Sequence, residues 1–193
     1  MFSTTLWHLN DALELSNLSQ DMLAIDREAP SAWMVAGNCF SLQGAHDEAM
    51  RCFRRAAQLD PGCAYAWTLC GHEATAMEEF DRAIAFFRTA IRSDARHFNA
   101  WYGMGVAYMK MGKNRHAEHH YRRAAEINPS NPALLCCIGT VMEKMNNYPG
   151  ALAVYEQACQ SDDKESAMAR FNRTRVLVAL GRIPVSPKGA NSG

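Results

Sequence analysis

Three imidazoles close together, at His116, His119 and His120, are the first place to look for metal chemistry in this chain of 193 residues. His116 and His120 stand four apart, which puts both rings on one face of a helix and lets them clamp a transition metal. A zinc-protease pattern demands Glu directly after the first His, and Ala117 stands there instead. The three rings also fall on the polar side of an amphipathic stretch. A solvated face is therefore the expectation, with no metal and no cofactor. Elsewhere the chain has no glycine-rich phosphate loop and no nucleophile elbow, so it reads as a protein without catalysis. A different chemistry is on offer in three spaced sets of side chains. Ser31, Met34, Asn38 and Ser41 form the first; Tyr65, Thr68, His72 and Thr75 the second; Asn99, Tyr102, Val106 and Met109 the third. Amides, hydroxyls, rings and thioethers in this mixture suit an extended peptide with apolar anchors and a few fixed hydrogen bonds.

The elements that would carry these sets are set by a period of 34 residues, shown by Trp33, Trp67 and Trp101. Gly37, Gly71, Gly105 and Gly139 follow the same register, as do Ala49, Ala83, Ala117 and Ala151, then Ala56, Ala90, Ala124 and Ala158. An aromatic ring recurs between them at Phe53, Phe87, Tyr121 and Tyr155. This is the pattern of the tetratricopeptide repeat, two antiparallel helices per unit. Small residues stand where helices approach closely, and the rings fill the space between. The expected fold is all-α, a right-handed superhelix of antiparallel helix pairs. In such an array the first helices line a concave groove, and the three sets above fall at its exposed positions. Leu59-Asp60-Pro61 and Ile127-Asn128-Pro129 stop second helices, because Pro cannot continue one. Ser93-Asp94-Ala95 and Ser161-Asp162-Asp163 lack the Pro, which predicts turns held less firmly.

Residues 1–29 read as a degenerate first repeat, with Leu15, Leu18 and Met22 as an apolar stripe covering its neighbour. Four repeats follow at 30–63, 64–97, 98–131 and 132–165. A partial fifth occupies 166–181, with Phe171, Val176 and Leu180 on its first helix. Pro184 and Pro187 oppose a second helix there, so 182–193 is expected to be a disordered tail. That leaves the last packed layer exposed and open to self-association. Ser186-Pro187 could accept phosphate.

Twenty Lys and Arg balance twenty Asp and Glu, which argues against nucleic acid as a partner. No apolar run reaches the length of a membrane span. Seven cysteines, odd in number and without a Cys-x-x-Cys pair, read as reduced thiols, with Cys52, Cys70 and Cys159 at packing positions.

Several runs are not demanded by helix packing. They include Gly37-Asn38-Cys39-Phe40-Ser41-Leu42-Gln43 and Asn99-Ala100-Trp101-Tyr102-Gly103. With Ala64-Tyr65-Ala66-Trp67-Thr68-Leu69-Cys70-Gly71-His72-Glu73, they resemble the C-terminal repeats of the anaphase-promoting complex subunit of the cell-division-cycle protein twenty-seven type. The resemblance implies a non-catalytic scaffold in a ubiquitin ligase of mitotic exit, in the nucleus and cytoplasm. It implies other subunits as partners, and a groove that takes the C-terminal Ile-Arg tails of coactivators. Matched onto this chain, the tail-binding residues would be Asn38, His72, Asn99 and Tyr102. The alternative is a generic repeat adaptor for another peptide, or the repeat portion of a larger enzyme such as a glycosyltransferase.

Overall fold

The 34-residue register becomes helix pairs in a computed structural model that describes residues 12–129, 131–160 and 166–181. Trp7, the Ser161 turn and the whole 182–193 segment with Ser186 lie outside them. The described residues form ten α-helices and no strand. They fall into two compact units, Met1–Met111 and Gly112–Gly193. The first holds α1 (Ala12–Ile25), α2 (Pro30–Leu42), α3 (His46–Leu59), α4 (Ala64–Ala76), α5 (Phe80–Ser93) and α6 (Phe98–Lys110). The second holds α7 (Asn114–Ile127), α8 (Pro132–Lys144), α9 (Tyr148–Ala158) and α10 (Ser166–Ala179). In the first unit each helix packs on the next, and α4 also packs on α6; in the second, α8 also packs on α10. The all-α tetratricopeptide fold class read from the sequence is the one observed.

The recurring residues do what their types suggest. Phe53, Phe87, Tyr121 and Tyr155 are 0–1% exposed, and the eight laddered alanines are completely buried. Burying each such ring stabilises by about 1.5–3 kcal/mol. A Cβ on Gly37 would fall 2.3 Å from Phe53, and one on Gly139 2.5 Å from Tyr155. Phe87 is wedged twice, since a Cβ would lie 2.5 Å from its ring at Gly71 on α4 and 2.3 Å at Gly103 on α6. The stripe Leu15, Leu18 and Met22 packs on Val35 and Cys39 of α2.

The tryptophans add a hydrogen bond to their packing. The indole N–H of Trp33 donates to Arg27 O at 2.7 Å, that of Trp67 to Pro61 O at 3.0 Å, and that of Trp101 to Ala95 O at 3.0 Å. An aspartate tightens the same turns. Asp26, Asp60 and Asp94 each accept a backbone N–H two residues on, from Glu28, Gly62 and Arg96. The turn at Asp94, expected to be looser without its Pro, therefore has the same two ties as the turn at Asp60. Side-chain chemistry replaces the ring constraint.

Each turn inside a helix pair uses one left-handed residue. Gly44 (φ 74°) and Gly112 (φ 73°) take it without strain; Glu78 and Asn146, both at φ 61°, take it with a side chain. The helix starts from α2 to α7 have no side-chain cap bond, whereas Asn131 caps α8 and Asn147 caps α9.

Candidate peptide-binding site

The four residues singled out for a peptide all lie in the first unit, on first helices of successive repeats. Asn38 is on α2, His72 on α4, and Asn99 and Tyr102 on α6. Asn99 and Tyr102 are three apart, share one face of α6 and are half-buried. His72 is brought near that helix by the packing of α4 on α6. Asn38 is only 5% exposed, which places it beneath the surface of α2 rather than on it.

Two further groove positions expected to be exposed are not. Thr68 is 1% and Thr75 5% exposed, and each hydroxyl donates to the carbonyl one turn back, Ala64 O and Gly71 O, at 2.8 Å. A small β-branched residue satisfied by its own helix lets a neighbouring helix close over it. Met34 likewise packs against the buried cluster of Ala56, Ala57 and Ala66. Of the groove positions in this unit, Ser31 is exposed, and Met34, Ser41, Tyr65, His72, Asn99, Tyr102, Val106 and Met109 are half-buried.

The imidazole of His72 meets Phe87 edge-on, with centroids 5.3 Å apart. Some of its residue surface stays open, yet the surrounding protein pushes its pKa down to about 4, chiefly by burial and then by His97. His97 is shifted down as well, mainly by burial, and its ring meets Tyr65 edge-on at 6.3 Å. Both rings are neutral at physiological pH, so they can donate and accept hydrogen bonds without adding charge.

Beside them is a carboxylate that the periodicity does not reveal. Glu73 is 5% exposed. It accepts the Ser41 hydroxyl at 2.6 Å and pairs with His46 Nδ1 at 2.8 Å, joining α2, α3 and α4. In the second unit Glu143 accepts from the Tyr155 hydroxyl at 2.6 Å and from Arg175 at 2.7 Å. Burial and that bond push the Tyr155 phenol well above its usual range. A polar residue on a first helix gives only a weak signal of such pairing, because its partners lie about 30 residues away.

The histidine cluster is on α7, with His116 and His119 exposed and the His119 and His120 rings edge-on at 5.1 Å. Among the described residues no three His, Cys, Asp or Glu side chains are grouped as metal ligands. A shallow open hollow near it is lined by Lys113, Arg115, His116, Glu118 and Asn147. All seven cysteines are free thiols. Burial raises Cys52 and Cys136 to about 11 and Cys70 to about 12. Cys159, expected in the core, is half-buried because it sits at the C-cap of α9. No helix among the described residues is long and apolar enough to cross a membrane.

Helix pairs in a 34-residue register define a helical-repeat protein. Profiles described as Tetratricopeptide repeat match residues 30–63, 64–97 and 98–131, and the chain belongs to that family. Within it the chain is similar to Anaphase-promoting complex subunit 3 of Schizosaccharomyces pombe, at 47% identity over 93% of this chain and 27% of that protein. It is 53% identical to Protein bimA of Emericella nidulans, over 71% of this chain and 17% of that one. Against Cell division cycle protein 27 homolog B of Arabidopsis thaliana the identity is 41%, over 93% and 24%. The chain thus spans about a quarter of the length of the first of these relatives. The fold also matches a chain in the crystal structure of the APC/C hetero-tetramer Cut9-Hcn1, with a TM-score of 0.78 at 22% identity, over 93% of this chain and 35% of that chain.

Proposed function

We propose that this repeat array is a non-catalytic scaffold of an anaphase-promoting, ubiquitin-ligase assembly, acting in the nucleus and cytoplasm beside other subunits of that assembly. The observation that carries the reading is the 47% identity to Anaphase-promoting complex subunit 3 across 93% of the chain. The first unit receives a C-terminal Ile-Arg tail of a coactivator. Asn99 and Tyr102, half-buried on one face of α6, contact the tail directly. His72 offers a neutral ring, and Asn38 supports the groove from below. A neutral wall of this kind recognises an end group by hydrogen-bond geometry, because desolvated amide and phenol groups lose affinity when left unpaired.

Fluorescence anisotropy with a labelled peptide ending in Ile-Arg tests this. Asn99→Ala and Tyr102→Phe should each weaken binding by about tenfold, the loss of one good hydrogen bond in a desolvated site. Amidating the peptide's carboxylate should weaken it further. Equal binding to wild type and both variants removes the tail site. Capture of the tagged chain without any subunit of the ligase removes the scaffold reading.

A further inference from the structure

Gly103 stands outside the glycine ladder of the repeat, at a position held by Leu69 one repeat earlier and by Cys137 one repeat later. It nevertheless meets the ring of Phe87 as closely as the laddered Gly71 does. A Cβ would fall 2.3 Å from that ring at Gly103 and 2.5 Å at Gly71. The ring therefore lies against the bare backbone of two successive first helices, and α4 and α6 are the first helices of this unit that pack most closely on each other. Each of these glycines is next in the chain to a residue placed in the tail site: His72 follows Gly71, and Tyr102 precedes Gly103. The His72 imidazole also meets the same ring edge-on, with centroids 5.3 Å apart. Phe87 itself is 0% exposed, so it touches no ligand.

We propose that Phe87 is a positioning residue of the tail site: its ring sets the spacing of His72 and Tyr102, and through it the size of the side chain that the groove accepts before the terminal Arg. The inference rests on the tail reading above. A ring held between two backbones is a spacer of fixed thickness, because a close-packed interior transmits a change of width instead of absorbing it. A smaller side chain at position 87 lets α4 and α6 draw together over the vacated volume. A Cβ at Gly103 acts in the opposite sense, since it collides with the ring and forces α6 away from α4. The wild-type spacing suits a branched side chain of the size of Ile; a narrower one suits Ala, and a wider one Phe.

Fluorescence anisotropy on the full chain tests the proposal, with labelled peptides ending in Ala-Arg, Ile-Arg and Phe-Arg. Wild type should favour Ile-Arg. Phe87→Leu should move the ratio of Ala-Arg to Ile-Arg affinity toward Ala by about tenfold, and Gly103→Ala should move the ratio of Phe-Arg to Ile-Arg affinity toward Phe by about the same factor. The double variant, in which the smaller side chain makes room for the added methyl, should recover the wild-type preference. Phe87→Met stands in for Phe87→Leu if that variant loses its helical circular dichroism. A ring that merely stabilises the fold would weaken all three peptides by one factor. Unchanged ratios in a folded Phe87 variant therefore overturn the proposal, as does a double variant that keeps the preference of either single one. A wild type that binds Ile-Arg while its variants keep the same order of preference removes the role of Phe87 alone. A wild type that binds none of the peptides removes the tail site, and this inference with it.

Discussion

His72 shows how a single side chain can be legible as a position and illegible as a chemical group. Its place on a first helix follows from counting, but its pKa of about 4 follows from the protein around it, with Phe87 and His97 as neighbours from α5 and the turn before α6. The folded pKa lies below the ordinary histidine value of 6.5, so the unfolded chain binds the proton more readily. Stability is therefore complete above pH 6.5 and is lost as pH falls toward 4, at up to about 1.4 kcal/mol per pH unit for one proton. His97 acts in the same direction. Urea denaturation between pH 7 and 4 should show this slope in wild type and a shallower one in His72→Gln. Glu73 was silent in the sequence for a related reason. Its partners Ser41 and His46 are 32 and 27 residues distant, and only folding brings three helices to one carboxylate.

At the scale of the helix pair, the turn residues carry a cost that can be removed. Glu78 adopts φ 61° where Gly44 and Gly112 adopt 74° and 73° in the equivalent turns. A side chain in the left-handed region is strained, and Gly is not. Glu78→Gly should therefore raise stability by about 0.5–1 kcal/mol, read as a higher thermal midpoint, while Gly44→Ala should lower it by about 1 kcal/mol. Most of the fold was written in the chain at this scale. Three tryptophans and four aromatic rings at one spacing fix which helices pair and which faces meet. The indole bonds to Arg27, Pro61 and Ala95 were not visible, since a Trp in a pattern announces bulk and not the carbonyl its N–H will find. The groove was less legible than the core. Thr68, Thr75 and Asn38 stand at positions that count as exposed, yet local hydrogen bonds and close neighbours bury them.

For the whole chain, the even balance of twenty basic and twenty acidic residues gives a calculated isoelectric point of about 7.0. Its charges are nonetheless unevenly placed, with α1 acidic and α10 basic. With little net repulsion near neutrality, solubility should be lowest around pH 7 and rise on either side. Turbidity against pH at fixed concentration checks this, and added salt should clear the suspension if opposite charges hold it together.

Phe87, held against Gly71 on one side and Gly103 on the other, has a consequence for how such a chain can vary over generations. A methyl group gained at either glycine collides with the same ring, so neither position can drift alone. If the ring first gives way to a smaller aliphatic side chain, both positions are freed together, and alanine becomes acceptable at each. The three sites, 32 residues apart at their extremes, therefore behave as one inherited character. Substitutions there should arise in company, and in a fixed order: the ring before the glycines.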